Sequence, residues 1–474
     1  MQFSKGLIVQ VKIKDIAFGG NAVGNLYGDE FNSDELSKLV VFVEGGALIG
    51  EIVEVSLTRI KKSFLEARLV NIIEASLERT TPRCKHYSVC GGCSLQHVPY
   101  ESQLAIKDRF VRDALTKIGG FERDYIESIK QPIIGCESPW YYRNKSEFTF
   151  EDEAAGFHPS ANYKQVFNVE ECFLQSELAI EILDAVRTWA KEKNVSTYSW
   201  KTHDGFIKNL VVREGKNTGD VLVNLITTTD SPHYDADFTS MIQSKFKQIT
   251  SIYRTAVLVK RGFKTVTEEK HLFGKKVLTE KLIVNGKSLE FDILPHAFFQ
   301  TNSKQAERLY ETTVAFAQPE SNDHVLDLFC GTGTIGMFCA LTGCKVTGID
   351  VSDSAIINAK KNAEHNCMKN IEFHVGDTGK QISKLNEVAK SATVLITDPP
   401  RSGIDPKTLE KLIALNISRW VYVSCNPATL ARDLKIIVNS QLSNGKKYKL
   451  TKVQPVDMFP QTFHVETVTL IEAE

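Results

Sequence analysis

The sequence of 474 residues lacks any apolar run approaching the roughly 20 residues that a membrane-spanning helix needs. Its first residues, MQFSKGLIVQVKIKD, place charged side chains inside the apolar stretch, which is unlike a secretory signal peptide. Internal repeats and low-complexity tracts are also missing. We therefore expect a globular, cytoplasmic protein without a membrane partner.

The chain also lacks an excess of charge of either sign, because 57 Lys and Arg are balanced by 58 Asp and Glu. Any surface that binds nucleic acid must then be local. Residues 241–290 are such a segment, with eleven Lys and Arg against four Asp and Glu and with aromatic residues between them. This composition is typical either of solvated strand faces beside core aromatics or of a surface that binds an RNA backbone.

The ten cysteines are not expected to form a disulfide framework in a cytoplasmic protein. Three of them, Cys84, Cys90 and Cys93, follow the spacing C-x5-C-x2-C, and the two glycines between the last pair allow a tight turn. A fourth, Cys172, lies about eighty residues further on. Four thiolates suit either a structural zinc ion or an iron–sulfur cluster, and donor chemistry alone does not choose between them.

The hydrophobic patterns divide the chain into three predicted regions. Residues 1–72 contain short β-runs separated by glycine-rich breaks, which predicts a small barrel. Residues 73–290 contain the cysteines, an amphipathic helix near 100–120 that we expect to pack on the C-terminal domain, and mostly strand-like segments. In residues 291–474 strands alternate with helical patterns, which indicates a parallel sheet. The predicted fold class is α/β.

The segment HVLDLFCGTGTIG predicts a strand, a glycine-rich turn and a helix. Gly331, Gly333 and Gly336 follow the pattern G-x-G-x-x-G, in which the main chain approaches a ligand closely. Asp350 ends the next strand, where its carboxylate can accept hydrogen bonds from ribose hydroxyls. This spacing is compatible with NAD and with S-adenosylmethionine, because both contain an adenosine ribose.

Three further polar side chains follow later strands of the same region: Asp377, Asp398 and Cys425. Ligands of an open parallel sheet bind beyond the carboxyl ends of its strands, so these side chains and Asp350 are expected to share one crevice. A hydride-transfer enzyme needs no cysteine in that place. The later strands therefore favour S-adenosylmethionine.

The motifs DLFCGTG, FFQTN, DPPRSG, SCNPATLARD and HVETV together resemble the S-adenosylmethionine-dependent RNA 5-methyluridine (uracil-C5) methyltransferases. The front of the chain resembles the extended members, which carry an N-terminal TRAM barrel and a cysteine-bound iron–sulfur cluster. The resemblance implies a Rossmann-like methyltransferase domain at 291–474, a central β-rich iron–sulfur domain and a TRAM/OB-like barrel that binds RNA. A barrel that only packs on the catalytic domain is the alternative. No obligate protein partner is inferred.

The chemistry of uracil explains why such an enzyme needs a cysteine and a base. Carbon 5 becomes nucleophilic only after a thiolate adds to carbon 6, and a base must then remove the proton from carbon 5. The resemblance assigns these roles to Cys425 and Glu466. It implies a [4Fe–4S] cluster, with zinc as the alternative, at Cys84, Cys90, Cys93 and Cys172. Contacts with the cofactor or the uracil are implied for Gln300, Phe329, Thr334, Asp350, Asp377 and Asp398.

The same resemblance bears on the substrate and on the rival functions. Family members with this architecture act on 23S ribosomal RNA, which we expect here, and some act on the T-loop of transfer RNA, which is the alternative. A cytosine-C5 RNA methyltransferase is disfavoured, because its family places the cysteines differently and Pro400 is here followed by Arg401. A catalytically inactive RNA-binding iron–sulfur protein is disfavoured because Cys425 and Glu466 are both present. Gln461-Thr462 stands where the family often has His-Thr.

Overall fold

The computed structural model describes residues 3–28, 36, 38–160, 162–229, 231–258, 265–384, 391–443 and 445–474. By packing, the chain separates into two compact units. Unit 1 comprises Met1–Phe110 and Phe459–His464, and unit 2 comprises Val111–Met458 and Val465–Glu474. The three regions predicted from the sequence are a separate prediction, which this division by packing does not test. Within the described ranges, no helix is both long enough and apolar enough to cross a membrane.

Unit 1 begins with a small five-stranded β-structure, as predicted. Its strands are β1 (Ile8–Ile16), β2 (Ala22–Leu26), β3 (Val40–Glu44), β4 (Ile52–Ile60) and β5 (Phe64–Glu74). They close into a barrel in the order β1–β2–β3–β5–β4. Along β1, Val9, Val11 and Ile13 are buried while their neighbours are exposed. This alternation buries one face of each strand and explains why the barrel was readable from the sequence.

The chain after the barrel is held by a buried ion pair. The Glu51 carboxylate accepts hydrogen bonds from Arg79 Nε at 2.6 Å and Arg79 Nη2 at 2.8 Å. It also accepts the main-chain N–H groups of Leu48 and Ser76. Burial favours the neutral acid, but these four bonds bring the pKa of Glu51 below its ordinary value. The barrel and the segment that leads to the cysteines are therefore fixed to each other within unit 1.

An apolar cluster completes unit 1. The first half of α1 (Tyr100–Lys117) contributes Ile106 and Phe110, which pack with Leu95 and with the ring of Phe463. Phe463 lies so close to Gly20 that a Cβ at that glycine would be 1.8 Å from the ring. Gly20 also has a φ of +92°, which L side chains rarely adopt. The glycine turn of the barrel is thus needed for packing.

A mixed sheet of seven strands forms the first part of unit 2. Its strands are β6 (Lys145–Glu151), β7 (Ala154–Phe157), β8 (Phe167–Asn168), β9 (Ile207–Glu214), β10 (Val221–Thr227), β11 (Ser251–Leu258) and β12 (Val266–Gly274). They follow the order β12–β11–β10–β9–β6–β7–β8. Two helices, α3 (Glu177–Glu192) and α4 (Asp235–Lys245), supply Trp189 and Phe238 to its core.

The second part of unit 2 is the predicted α/β sheet. Its strands are β15 (His324–Leu328), β16 (Lys345–Asp350), β17 (Ile371–Val375), β18 (Val394–Thr397), β19 (Arg419–Ser424), β20 (Tyr448–Val456) and β21 (Glu466–Ala473). The order is β17–β16–β15–β18–β19–β21–β20. Strands β15 to β19 pair in parallel, whereas β21 is antiparallel to both of its neighbours.

Helices cover this sheet, and a hairpin precedes it. The remaining elements are α2 (Arg123–Ile129), the hairpin β13 (Leu278–Val284) and β14 (Lys287–Ile293), α5 (Ser303–Ala317), α6 (Thr334–Ala340), α7 (Asp353–His365), α8 (Thr378–Lys384), α9 (Pro406–Ala414) and α10 (Pro427–Asn439). The second half of α1 supplies Val111 and Leu115 to the same core as Trp420. The α/β fold class predicted from the sequence is confirmed.

Local signals in the sequence explain where several of these helices begin. The side chains of Asn302, Ser352, Asp405 and Asn426 each accept a main-chain N–H from the first turn of α5, α7, α9 and α10, respectively. In α9 and α10 a proline follows the cap, where its missing N–H costs nothing. The helix that follows each strand therefore begins at a defined residue, and the strand-end side chains are held in place.

The contact between Gly20 and Phe463 gives a prediction about stability. Gly20→Ala should lower the midpoint of thermal unfolding more than Gly19→Ala does. Both glycines have a positive φ, at a shared cost of about 1 kcal/mol, but only a Cβ at Gly20 meets a ring, and such overpacking costs about 1–3 kcal/mol more. Thermal unfolding of the full chain, followed by circular dichroism, measures the difference. Equal losses in the two variants would contradict the packing role.

Candidate functional site

Three strands bring polar side chains to one edge of the α/β sheet. Asp398 follows β18, Cys425 follows β19, and Glu466 is the first residue of β21. In the antiparallel ladder of β19 and β21, the last pair is Ser424 with Thr467, next to which Cys425 and Glu466 lie along the chain. The charge of Glu466 acts on the Cys425 thiol, so the two groups are close in space. The main-chain N–H of Asp398 donates to the carbonyl oxygen of Leu328, at the end of β15, at 3.2 Å. A thiol and two carboxyl groups therefore lie together.

Burial and mutual repulsion change the acidity of all three groups. Glu466 is 5% exposed, and burial together with the nearby Asp398 raises the pKa of its carboxyl to about 8. Burial raises the pKa of Asp398 to about 7. The pKa of the Cys425 thiol rises to about 11, because burial and the charges of both carboxylates disfavour the thiolate. At neutral pH these shifts favour the protonated thiol and the protonated Glu466, whereas Asp398 is partly ionised.

One cation counteracts this effect, and the sequence analysis did not select it as a site residue. The guanidinium of Arg401 acts to lower the pKa of both Cys425 and Glu466. Its main-chain oxygen accepts hydrogen bonds from Asn426 Nδ2 at 3.1 Å and Thr429 Oγ1 at 3.2 Å, which joins the turn after β18 to the start of α10. The only sequence signal was its place directly after Asp398-Pro-Pro.

The glycine turn and the end of β16 form the other side of this edge. Asp350 accepts the N–H of Gly331 at 2.9 Å with one carboxylate oxygen and that of Ser352 at 2.8 Å with the other. Each oxygen keeps a second lone pair, which a ribose hydroxyl can use. Gly333 has a φ of +75°, and a Cβ there would lie 2.4 Å from the ring of Phe373. These features fit an adenosine-containing ligand above a glycine-rich turn.

A buried carboxyl group below this turn was missed by the sequence analysis. Asp327, in β15, accepts the N–H of Gly336 at 3.0 Å with Oδ2, and a Cβ at Gly336 would lie 2.7 Å from that oxygen. Its Oδ1 has no hydrogen-bond partner within the described part of the chain. Burial raises the pKa of Asp327 to about 8. The third glycine of the motif therefore allows the close approach of a neutral acid.

Tyr310, on α5, is a second residue for which the sequence carried no signal. It is 5% exposed and forms a hydrogen bond with the side chain of Thr334, the first residue of α6. Burial and the charges of Asp398 and Glu466 raise the pKa of its phenol well above the ordinary value. Tyr310 thus contacts the predicted cofactor residue Thr334 and lies near enough to both carboxyl groups for their charges to act on its phenol.

The other three predicted cofactor contacts have separate local roles. Phe329 adopts a φ of +59° and packs partly against the core of the sheet. Asp377 is exposed, and its Oδ1 accepts the N–H of Lys380 at 3.0 Å in the first turn of α8. The main-chain oxygen of Gln300 accepts a hydrogen bond from Asn144 Nδ2 at 2.9 Å. Their contacts with a cofactor stay predictions.

The predicted metal ligands are divided between the two units. Cys84, Cys90 and Cys93 belong to unit 1, and Cys172 belongs to unit 2. Cys90 Sγ accepts the N–H of Gly92 at 3.3 Å. Burial raises the pKa of Cys172, although hydrogen bonds from the main chain at 174 and 175 favour its thiolate. Among the residues that the structure describes, no group of three or more His, Cys, Asp or Glu is arranged to hold a metal ion.

The basic segment at 241–290 is explained in part by core packing. Phe246 and Tyr253 are buried, and Arg254 is 1% exposed and paired with Asp235 at 2.7 Å. Lys275 pairs with a carboxylate at 2.8 Å. For these residues the structure favours the interpretation as core aromatics and paired cations. Lys260, Arg261, Phe263 and Lys264 lie outside the described residues.

Comparisons with known proteins identify two families along the chain. The profile described as tRNA (uracil-5-)-methyltransferase matches residues 136–474. The profile of the TRAM domain matches residues 2–70, which include the closed barrel. An uncharacterized RNA methyltransferase of Caldanaerobacter subterraneus subsp. tengcongensis is 36% identical over 476 residues, covering 99% of each chain. One from Listeria innocua is 36% identical over 92% of this chain and 93% of its own.

A solved structure is similar over nearly the whole chain. The tRNA (uracil-54, C5)-methyltransferase of Pyrococcus abyssi, in complex with S-adenosyl-L-homocysteine, superposes with a TM-score of 0.74. The two sequences are 26% identical, and the match covers 98% of this chain and 99% of that chain.

The raised pKa value of Glu466 gives a prediction about the stability of the protein without its ligands. Well below pH 4.5, the ordinary pKa of glutamate, the Glu466 carboxyl is protonated in both the folded and the unfolded chain, but between about pH 4.5 and 8 the folded chain retains the proton that the unfolded chain has lost. The free energy of unfolding should therefore fall as pH rises through this window. Glu466→Gln should flatten that fall, because the amide does not titrate. Unfolding midpoints at several pH values measure it.

Asp353→Asn, which removes an exposed carboxylate on α7, is the control for this prediction. Its unfolding midpoint should follow the wild-type pH dependence. Parallel curves for wild type and Glu466→Gln would contradict the raised pKa.

Proposed function

Because this chain belongs to the tRNA (uracil-5-)-methyltransferase family, which makes it an S-adenosylmethionine-dependent RNA methyltransferase, we propose that Cys425 and Glu466 carry out the methylation of carbon 5 of a uridine. The observation that supports this most strongly is the register of β19 and β21, whose end pair, Ser424 with Thr467, brings the neighbouring residues Cys425 and Glu466 close together. One covalent nucleophile and one base are what the reaction requires.

The first step belongs to Cys425. Its thiol proton passes to a neighbouring carboxylate, and the sulfur forms a bond to carbon 6 of the uracil while the electrons of the carbon 5–carbon 6 double bond move into an enolate. Carbon 5 then takes a methyl group, for which S-adenosylmethionine is the source. Arg401 favours the thiolate, since its charge lowers the pKa of Cys425.

The second step belongs to Glu466. Its carboxylate takes the proton from carbon 5, the electrons of that bond restore the carbon 5–carbon 6 double bond, and the carbon 6–sulfur bond breaks with its electron pair returning to Cys425. A carboxyl whose pKa is about 8 is a strong enough base for this transfer once it is ionised. Asp398 lies beside both groups, and Asp350 suits the ribose of the methyl donor.

The proposed substrate is a uridine in structured RNA, extruded from its stack to reach the sheet edge. We favour 23S ribosomal RNA, with the TRAM barrel as an additional RNA-binding surface in the cytoplasm. Transfer RNA is the second candidate, because the similar Pyrococcus abyssi enzyme acts on uracil 54 of tRNA. Mapping 5-methyluridine in the ribosomal and transfer RNA of a deletion strain decides between them. Unchanged 5-methyluridine in both would favour an inactive RNA-binding protein.

The nucleophile assignment gives a direct prediction. RNA that contains 5-fluorouridine has no proton to remove from carbon 5, so the methylated adduct cannot be released. With S-adenosylmethionine, the wild-type protein should form a covalent protein–RNA band on a denaturing gel, and Cys425→Ala should form none. A band of normal intensity from Cys425→Ala would refute the assignment.

Glu466→Gln supplies the complementary arm of this experiment. The amide keeps the size of the side chain but takes no proton, so the adduct should accumulate on ordinary uridine RNA after methylation. Turnover close to that of the wild type would show that another group is the base.

We also propose that Cys84, Cys90, Cys93 and Cys172 hold a [4Fe–4S] cluster, with zinc as the alternative. The proposal rests on the resemblance and on the chemistry of the donors. Four thiolates match such a cluster, and main-chain N–H groups already point at the sulfurs of Cys90 and Cys172. Methyl transfer is redox-neutral, so the cluster would have a structural role and would help to organise the RNA surface.

This assignment predicts a separation between metal and cofactor binding. Cys90→Ser should lose iron and sulfide and bind RNA more weakly, yet bind S-adenosylhomocysteine with near-wild-type affinity, because the residues assigned to that ligand lie after residue 294. Metal analysis after anaerobic purification and calorimetry measure both. Cys367→Ser, at an exposed cysteine, is the control. Stoichiometric zinc without iron would overturn the cluster, and lost cofactor binding in a folded variant would overturn the separation.

A further inference from the structure

A buried pair of glutamines holds the segment that precedes Glu466 along the chain. Gln461 N donates to Gln103 Oε1 at 3.0 Å, and Gln103 Nε2 donates to Gln461 Oε1 at 2.9 Å. The two side chains are 2% and 1% exposed, although they are 358 positions apart in the sequence. Each amide therefore satisfies the other inside unit 1.

The cysteine segment takes part in the same arrangement. The main-chain N–H groups of Ser94 and Leu95, directly after Cys93, donate to the carbonyl oxygen of Gln461 at 2.8 and 3.0 Å. Gln103 Nε2 also donates to the carbonyl oxygen of Leu95 at 3.0 Å. Gln461 has a φ of +69°, a strained value for a residue with a side chain, which persists only where surrounding contacts impose it.

Contacts on both sides of Gln461 fix the rest of the segment. The ammonium group of Lys107, a side chain buried on α1, donates to the carbonyl oxygen of Phe459 at 3.0 Å. Thr462 Oγ1 donates to the same oxygen at 2.7 Å, and Phe463 lies in the apolar cluster of unit 1. The chain from Phe459 to His464 thus has one defined path.

Glu466 comes two residues after this segment and is the first residue of β21. A terminal ladder residue is prone to fraying, because regular pairing continues on only one side of it. Its other side is the chain that leads back to Gln461. The position of the carboxyl group therefore depends on that chain as well as on the pairing with Val456.

We propose that Gln461, locked by Gln103 and by the main chain of Ser94 and Leu95, is a positioning residue for the base Glu466. This inference rests on the proposed function. Cys425 does not depend on the segment, because it follows β19 and precedes α10, which has its own cap at Asn426. We call these hydrogen bonds of Gln461 with Gln103, Ser94 and Leu95 the glutamine lock. Loss of the lock should slow the removal of the carbon 5 proton while thiolate addition and methyl transfer proceed.

Two variants test the lock. Gln103→Met keeps the side-chain volume and removes every amide hydrogen bond, and Gln461→Gly removes the side chain at a positive φ that glycine tolerates. Gln454→Met is the matched control, since Gln454 is an equally buried glutamine on β20 whose Nε2 donates to Pro132 and Pro455 and not to the segment. Adduct formation on 5-fluorouridine RNA measures the steps before the base, and turnover on uridine RNA includes the base.

In both lock variants we expect turnover to fall about 10- to 100-fold, the range that displacement of a catalytic group by about 1 Å produces. Adduct on uridine RNA should accumulate as in Glu466→Gln, whereas the rate of 5-fluorouridine adduct formation and the KM for RNA should change less than about twofold. Gln454→Met should accumulate no adduct. Wild-type turnover in both lock variants, or equal losses in turnover and 5-fluorouridine adduct, would overturn the positioning role. If Glu466→Gln itself accumulates no adduct, the base assignment fails first and the inference fails with it.

Discussion

The proposed catalytic arrangement depends on the reversed direction of one strand. The strands β15 to β19 run in parallel, so their carboxyl ends, and the side chains that follow them, share one edge of the sheet. Strand β21 runs antiparallel to β19, and its first residue therefore lies at this same edge. If β21 were parallel, Glu466 would begin at the opposite edge, far from Cys425. The pairing of Ser424 with Thr467 is thus the constraint from which the proposed chemistry follows.

Burial at this edge sets the electrostatics of the site. Two carboxyl groups and a thiol, held close together in a medium of low polarity, each disfavour the charge of the others. Arg401 opposes this repulsion from the turn after β18, and Tyr310 places a buried hydroxyl among the same groups. A cationic methyl donor would favour the ionised forms further. Perturbed pKa values of this kind are typical of groups that must both hold and release a proton.

Two glycines and one glutamine have packing and hydrogen-bonding roles that the sequence motifs do not indicate. Gly20 and Gly336 are required because a ring and a carboxylate occupy the space that a Cβ would fill. Gln461 stands where the family often has histidine, and its amide both donates and accepts within a buried pair. These contacts connect the cysteine segment of unit 1 to the residues that precede Glu466, the proposed base, along the chain. In the glycine turn of the barrel, Gly20 therefore has a packing role.

The sequence by itself determined the small barrel, the α/β sheet and the strand-end positions of Asp350, Asp398 and Cys425, because alternation, helix caps and glycine turns are local signals. It also identified the family through short motifs. Tertiary structure alone decided that Cys425 and Glu466 lie close together, that the charge of Arg401 acts on both, and that Gln103 holds Gln461. These contacts join residues on different elements, and pairing between strands and burial among distant side chains leave no periodic trace in the chain. The division into two packing units has the same cause, since a six-residue segment near the C-terminus joins the N-terminal unit by long-range contacts.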